Sequence, residues 1–578
     1  MGNLRHGRFG NLRYERGPSG TFQIRRLVVN YGMIVSLFND VIGPVMRGPS
    51  SSHCAAALRI GRLARDLMEG WIDEVLVEFD RQGSLPSTHD TQGSDMGLFG
   101  GLLGWEADDA RLPGSAAAVR EAGIQVDFRV VDAGDPHPNT YRLTLRHEGN
   151  QHTLRALSTG GGMIEVIDID GLQLSFHGDS HLTLIWLEPG ADADPARRLA
   201  EALAPESLTT HAGSDGLVLE VRTVIPVPDA AAAGLRALPG TRAVTRLAAV
   251  LPVLTRRDTR VPFGSAAEML AFDAGRGEPL WHLAARYEMA RGGLDEAAVL
   301  AKMGALVALW RRSLAQGLAG TEAEDRVLGA QSLRFHELMR GGRLLDGGAL
   351  NRMTLYVSAF MEVKSSLGVI VAAPTAGACA ALPGGVLGMA EAMDLGDAEV
   401  IRAMLAAGLI GVFIATRWTF AAEVGGCQAE GGSASAMTAA ALVTLAGGTL
   451  AQALAASSMS LQNMLGLICD PVASRVEVPC LGKNVMAAAN ALTAANMALA
   501  GYDPVIPLDE VIEAARQVSG MMPRELRCTS LGGLAATPTA RALEARLAAG
   551  SAATPRAACG CGASCKPTPT RHADSVGV

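Results

Sequence analysis

At 578 residues the chain is too long for a single ordinary core, so two to four domains are expected. Hydrophobic residues make up 48% and charged residues 19%, which suits globular folding, and a net charge of −8 gives none of the basic surface that nucleic acid or anionic lipid needs. The expected partner is a small molecule, with no nucleic acid and no membrane.

Residues 1–32 carry six arginines against one acidic residue and no apolar run of signal-peptide length, so they read as a disordered extension without export, and Met33 is a candidate start. Across 33–171 a helical pattern over residues 55–69 alternates with strand patterns over 74–79, 125–131 and 140–147, which predicts an α/β domain. Residues 172–256 repeat this on a smaller scale. A strand over 182–187, a helix over 195–203, a strand over 217–224, then a helix and a last strand predict a βαββαβ module.

From 257 to 547 the chain turns to long Ala- and Leu-rich segments with helical spacing, so this half is expected to be all-helical. The run Ala403 to Thr416 falls short of the ~20 residues of a membrane span and reads as a buried helix. Residues 548–578, rich in Ala, Pro, Ser and Thr, read as a disordered tail. The fold class is therefore α+β and multidomain.

Nine cysteines are too sparse for a secreted disulfide framework and fit a reducing cytoplasm. Cys427, Cys469 and Cys480 each lie beside helix breakers: Gly425-Gly426, Asp470-Pro471 and Pro479. Converging helix ends could hold an iron–sulfur cluster with one iron left for substrate; on the residues alone, small buried hydrophobes in an Ala-rich core are the commoner reading. Only four lysines exist, Lys302, Lys364, Lys483 and Lys566, and none lies in a phosphate cradle of the pyridoxal type, which favours a metal Lewis acid over pyridoxal phosphate.

Several ordered motifs carry a family resemblance. They are Gly43-Pro44-Val45-Met46, Gly48-Pro49-Ser50-Ser51-Ser52-His53, Asp135-Pro136-His137-Pro138-Asn139-Thr140 and Ser158-Thr159-Gly160-Gly161-Gly162 in the first half. In the second half stand Ala373-Pro374-Thr375-Ala376-Gly377, Gly425-Gly426-Cys427-Gln428-Ala429-Glu430, Asn463 to Val472, Val476-Glu477-Val478-Pro479-Cys480 and Gly532 to Thr539. From about Met33 to Leu547 the chain resembles the iron–sulfur L-serine dehydratases (L-serine ammonia-lyases), with the β part, carrying an ACT-like module at 172–256, fused ahead of the α part.

The resemblance implies a [4Fe-4S] cluster on Cys427, Cys469 and Cys480, without pyridoxal phosphate, converting L-serine to pyruvate and ammonia. It implies catalytic roles for His53, Ser52 and Glu430, with His53 either the base or an orienting group. It implies substrate contacts from Ser50, Ser51, Asp95, His137, Gly161, Thr375, Gly377, Lys483 and Asn484. On the residues alone, Ser50 to His53 is a clamp at a helix start or a plain N-cap, and Ser158 to Gly162 is an anion-binding turn or a plain one. Glu430, three residues after Cys427, faces the same side of a helix or serves as an ordinary helix-end carboxylate. A homodimer is expected.

Departures from the family pattern leave the substrate preference open. Gln92-Gly93-Ser94-Asp95 stands for His-Gly-Thr-Asp, Arg475 enters beside the cluster motif and is expected to face solvent, and Cys528 replaces an acidic residue. The turn Pro189 to Asp194 lacks the usual glycine placement of an ACT effector site. Cys559, Cys561 and Cys565 read as incidental tail cysteines. The alternatives are a lyase for threonine, cysteine or 3-hydroxyaspartate, and a non-catalytic amino-acid sensor on the same scaffold.

Overall fold

The computed structural model describes residues 34–213, 216–323 and 326–552, together with the backbone of an antiparallel strand pair, Leu12–Arg16 and Phe22–Arg26. The remainder of the extension expected over 1–32, and the tail from 553 with Cys559, Cys561 and Cys565, lie outside the described residues. The last described helix, Pro538–Ala552, runs past the boundary expected at Leu547.

Strand alternation builds the first layer. In Glu74–Asp80 the side chains of Val75, Val77 and Phe79 turn inward, and Tyr141, Leu143 and Leu145 of Thr140–His147 join them on one buried face. The sheet has six strands in the order Gln125–Val131, Glu74–Asp80, Thr140–His147, Asn150–Gly160, Met163–Ile169, Leu172–Phe176. Only the first pair is parallel. Helices Ala56–Leu67 and Ser94–Leu102 pack together in this layer at very close range. A Cβ on Gly97 would sit 2.0 Å from the Cys54 carbonyl oxygen, and one on Gly101 2.1 Å from that of Leu58, so only glycine permits the crossing.

The next six elements run strand His181–Leu187, helix Asp194–Glu201, strands Ser207–Gly213 and Gly216–Thr223, helix Asp229–Arg236 and strand Thr241–Leu247. They form an antiparallel sheet in the order Ser207–Gly213, Gly216–Thr223, His181–Leu187, Thr241–Leu247, the βαββαβ topology read from the sequence. Ile185, Leu187, Leu219 and Val221 face the two helices, while Leu182, Leu184 and Trp186 join the core of the six-stranded sheet. That double burial explains why strand His181–Leu187 is a nearly continuous apolar run.

Beyond residue 265 the elements among the described residues are helical, apart from the two-residue strand Ile370–Val371. Helix Asp397–Arg417 is long and apolar enough to cross a membrane, yet every residue from Ala403 to Ile414 is buried against Leu280–Gly292, Ser433–Leu445 and the turn Leu37–Val41. The two halves interlock. Val45–Met46 pairs antiparallel with Ile370–Val371. The buried Glu288 carboxylate accepts from Ser36 Oγ at 2.5 Å and from the Leu37 amide at 2.8 Å. This joint brings the N-terminal Ser-His segment onto the loops of the helical half.

Candidate active site

Ser50 to His53 leave the first interlocking strand and enter a single π-helical turn, Ser51–Ala55, that leads into helix Ala56–Leu67. Ser51, Ser52 and His53 are buried. The His53 ring is held at both nitrogens: Nε2 lies 2.8 Å from Thr88 Oγ1, and Nδ1 lies 3.1 Å from Ser50 Oγ and 3.5 Å from Glu423 Oε1. Burial pushes this imidazole down to about 3, so it is neutral.

The loop after Ile370–Val371 meets this turn. Ala376 N donates to Ser51 Oγ at 3.1 Å, and Thr375 Oγ1 donates to Glu430 Oε1 at 2.8 Å. A Cβ on Gly377 would stand 2.7 Å from Glu430 Oε1, so the glycine lets the carboxylate approach the loop. Asn484 secures the same loop: its oxygen accepts from Ala380 N and Ala381 N, and its amide donates to Gly377 O and Cys480 O. All four of its hydrogen-bonding positions are thereby spent on backbone.

Glu430 leads to the cysteines. Ligand atoms of Cys427, Glu430 and Cys469 all lie within 4.8 Å of one another. Cys427 follows the short helix Ala422–Gly425, and Cys480 opens helix Cys480–Leu499. Cys480 is buried close enough for a charge on Cys427 to hold its thiol proton on, adding to the effect of burial. Lys483 Nζ, one turn into that helix, lies 3.8 Å from Cys427 Sγ, 2.7 Å from Asp470 Oδ1 and 2.6 Å from the Ile468 carbonyl. Three buried thiols beside a lysine and a helix N-terminus are a donor set that fits an anionic metal–sulfur group. Lys364 is committed elsewhere, donating to the Val476 carbonyl.

Other expected residues frame the site at more distance. Ser158 Oγ donates to Ser52 O at 2.6 Å, and the turn after it comes close to the loops at Pro374 and Ala421. A Cβ on Gly160, at φ +106°, would meet Ala421 N at 2.7 Å, and one on Gly161 would meet Pro374 O at 3.2 Å. Asp95 binds His89 Nδ1 at 2.7 Å. His137 Nδ1 accepts from Asn139 N at 3.2 Å, and burial pushes its imidazole down to about 4.

Arg475 does not simply face solvent; its Nη1 lies 3.5 Å from the Thr91 carbonyl. Beside it, Gln92 Nε2 lies 3.6 Å from Cys528 Sγ, and Cys528 packs with Cys427 and Cys469. Two departures from the family pattern therefore touch each other. Sequence reasoning passed over Glu423 and Thr88, and took Asn139 only as part of a motif. For Glu423 a signal existed, a lone acid in an apolar stretch four residues before Cys427.

Comparison with known proteins identifies the family. Residues 255–535 match the family described as serine dehydratase alpha chain. A probable L-serine dehydratase alpha chain of Bacillus subtilis is 42% identical over 236 residues, 41% of this chain and 79% of the relative. Its counterpart from Latilactobacillus sakei is 49% identical over 186 residues, 32% of this chain and 89% of the relative. A probable L-serine dehydratase beta chain of Bacillus subtilis is 40% identical over 146 residues, 25% of this chain and 66% of the relative. The chain therefore belongs to the L-serine dehydratase family and joins β-chain-like and α-chain-like parts in one polypeptide.

Proposed function

We propose that the protein is an L-serine ammonia-lyase that dehydrates and deaminates L-serine to pyruvate and ammonia, with a [4Fe-4S] cluster held by Cys427, Cys469 and Cys480. One observation supports this reading: Cys427 and Cys469 meet Glu430, Glu430 accepts from Thr375, and the next residue, Ala376, donates to Ser51, so cysteines from one half lie two contacts from the Ser-His segment of the other. When bound, the cluster supplies a Lewis acid that makes hydroxide a tolerable leaving group.

The chain's own residues place the substrate and handle its protons. Ser51 Oγ accepts from Ala376 N, which leaves its proton to donate to a substrate carboxylate. Ser52 and the backbone amides of the same turn serve that carboxylate as well, while the Ser50 hydroxyl is turned to His53 Nδ1. Glu430, half-buried and pushed upward by desolvation, holds a proton more readily than an exposed carboxyl and is fixed in place by Thr375. Lys483 balances the negative charge of the thiolates. Gly377 and Gly161 keep the loops close enough to shut out water.

The βαββαβ module is read as ACT-like, with a packing or dimerising role in a cytoplasmic homodimer. The contact between Gln92 and Cys528 favours a second reading, turnover of another β-substituted amino acid at the same site. Anaerobically prepared protein is expected to carry about four irons per chain and to release pyruvate from serine. Turnover without iron overturns the cluster. Turnover of threonine, cysteine or 3-hydroxyaspartate in place of serine selects the second reading.

A further inference from the structure

The site holds a carboxyl to which the roles above give no task. Glu423 is buried, and its Oε2 has no hydrogen-bond partner among the described residues. Asn139 Nδ2, the polar group that faces this carboxyl, also lacks a partner at full hydrogen-bond distance, although Asn139 Oδ1 accepts from Ser84 Oγ. Buried polar atoms left unsatisfied are costly, and a fold retains them where function uses them.

Hydrogen-bond accounting sets the state of the neighbouring histidine. The Thr88 hydroxyl has one proton and donates it to the Ser84 carbonyl at 2.8 Å. Thr88 Oγ1 can then only accept from His53, so the ring carries its proton on Nε2. Nδ1 bears the lone pair, receives the Ser50 hydroxyl at 3.1 Å and faces Glu423 Oε1 at 3.5 Å.

We infer that Glu423 is the positioning residue for proton removal: it supplies the counter-charge when His53 Nδ1 takes the proton from the substrate's Cα. The inference rests on the lyase reading above. The Cα–H electron pair becomes the second bond between Cα and Cβ, and the Cβ–O bond breaks with its pair on oxygen. The proton held at Nδ1 passes to the departing hydroxide, which leaves as water and resets the pair. Aminoacrylate then hydrolyses to pyruvate and ammonium.

Burial pushes Glu423 up to about 7 and His53 down to about 3, so neither group ionises readily without the other. Ser50, Thr88, His89, Asn139, Tyr141, Glu430 and Cys528 are the polar and titratable groups around them.

The test uses Glu423→Gln and Glu423→Asp in iron-loaded, full-length protein, with iron content, KM, kcat against pH and the isotope effect of [2-²H]serine as readouts. The expected result is wild-type iron and KM within about twofold in Glu423→Gln. Its kcat should fall by about 10²-fold or more, with one limb of the pH profile lost and a larger isotope effect, and Glu423→Asp should recover part of the rate. A kcat within threefold of wild type overturns the proposal, as does loss of iron in both variants, which would assign Glu423 to the cysteine loop. If only Glu423→Gln loses iron, the Glu423→Asp profile decides: a shifted limb supports the proposal and an unchanged one overturns it. A wild-type protein that does not turn over serine refutes the lyase reading instead.

Discussion

Replacing Lys483 by Met removes the cation beside the cysteines while keeping the aliphatic stem. Two energies follow from the geometry. Lys483 and Asp470 have side chains 14% and 5% exposed and lie 2.7 Å apart, so removing the ammonium strands a buried carboxylate at a cost of about 3 kcal/mol. Asp470 Oδ2 keeps its bond from Leu534 N at 2.9 Å, which holds the figure at the lower end of the range for such losses. The second energy acts on the metal site. At 3.8 Å from Cys427 Sγ and an effective dielectric of about 20, the ammonium stabilises a thiolate by about 4 kcal/mol, an upper bound of roughly three orders of magnitude in metal affinity.

The assay is the rate at which a chelator strips iron from anaerobic protein. Lys483→Met should release iron at least about tenfold faster than wild type, and Lys483→Arg should lie between them. Equal retention in Lys483→Met and wild type would refute the electrostatic argument and leave Lys483 a tether for the Ile468 and Asp470 segment.

Cys427→Ser, Cys469→Ser and Cys480→Ser should each lose iron and serine-dependent pyruvate release, whereas Cys561→Ser should keep both; full activity in any of the first three removes that residue from the ligand set. Gly377→Ala places a methyl 2.7 Å from Glu430 Oε1 and should lower kcat by about 10²-fold with little change in thermal stability, since one displaced site residue is enough. Glu288, raised by burial to about 7 from an ordinary 4.5, binds its proton more tightly folded than unfolded. Its contribution to stability is full below 4.5 and is lost as pH rises through 7. Glu288→Gln should flatten the pH dependence of urea unfolding between 5 and 7.5, and an unchanged slope would show that the carboxyl is not the titrating group.

Local periodicity made much of the fold legible. Strands Gln125–Val131 and Thr140–His147 stand where alternation placed them, because one face of each is turned inward, half-buried in the first and buried in the second, and the pattern is read directly. The βαββαβ order was legible from the spacing of turns, although strand Ser207–Gly213 was only implied, since most of its residues are exposed and its pattern is weak. The cysteines, the Ser-His segment and the Pro-Thr-Ala-Gly loop were marked by motif. Their meeting was not, because it depends on pairing between strands more than 300 residues apart.

Composition, periodicity and motif order therefore determined the kinds of elements, the sequence of the parts and the residue types able to do the chemistry, since each of these is written in neighbours along the chain. The tertiary structure alone decided how individual side chains are used. It committed Asn484 to backbone, turned Arg475 toward Thr91, set Gln92 on Cys528 and enclosed Glu423 against His53. Those outcomes depend on which polar groups remain unpaired once distant segments have packed, and burial sets that balance only in the folded chain.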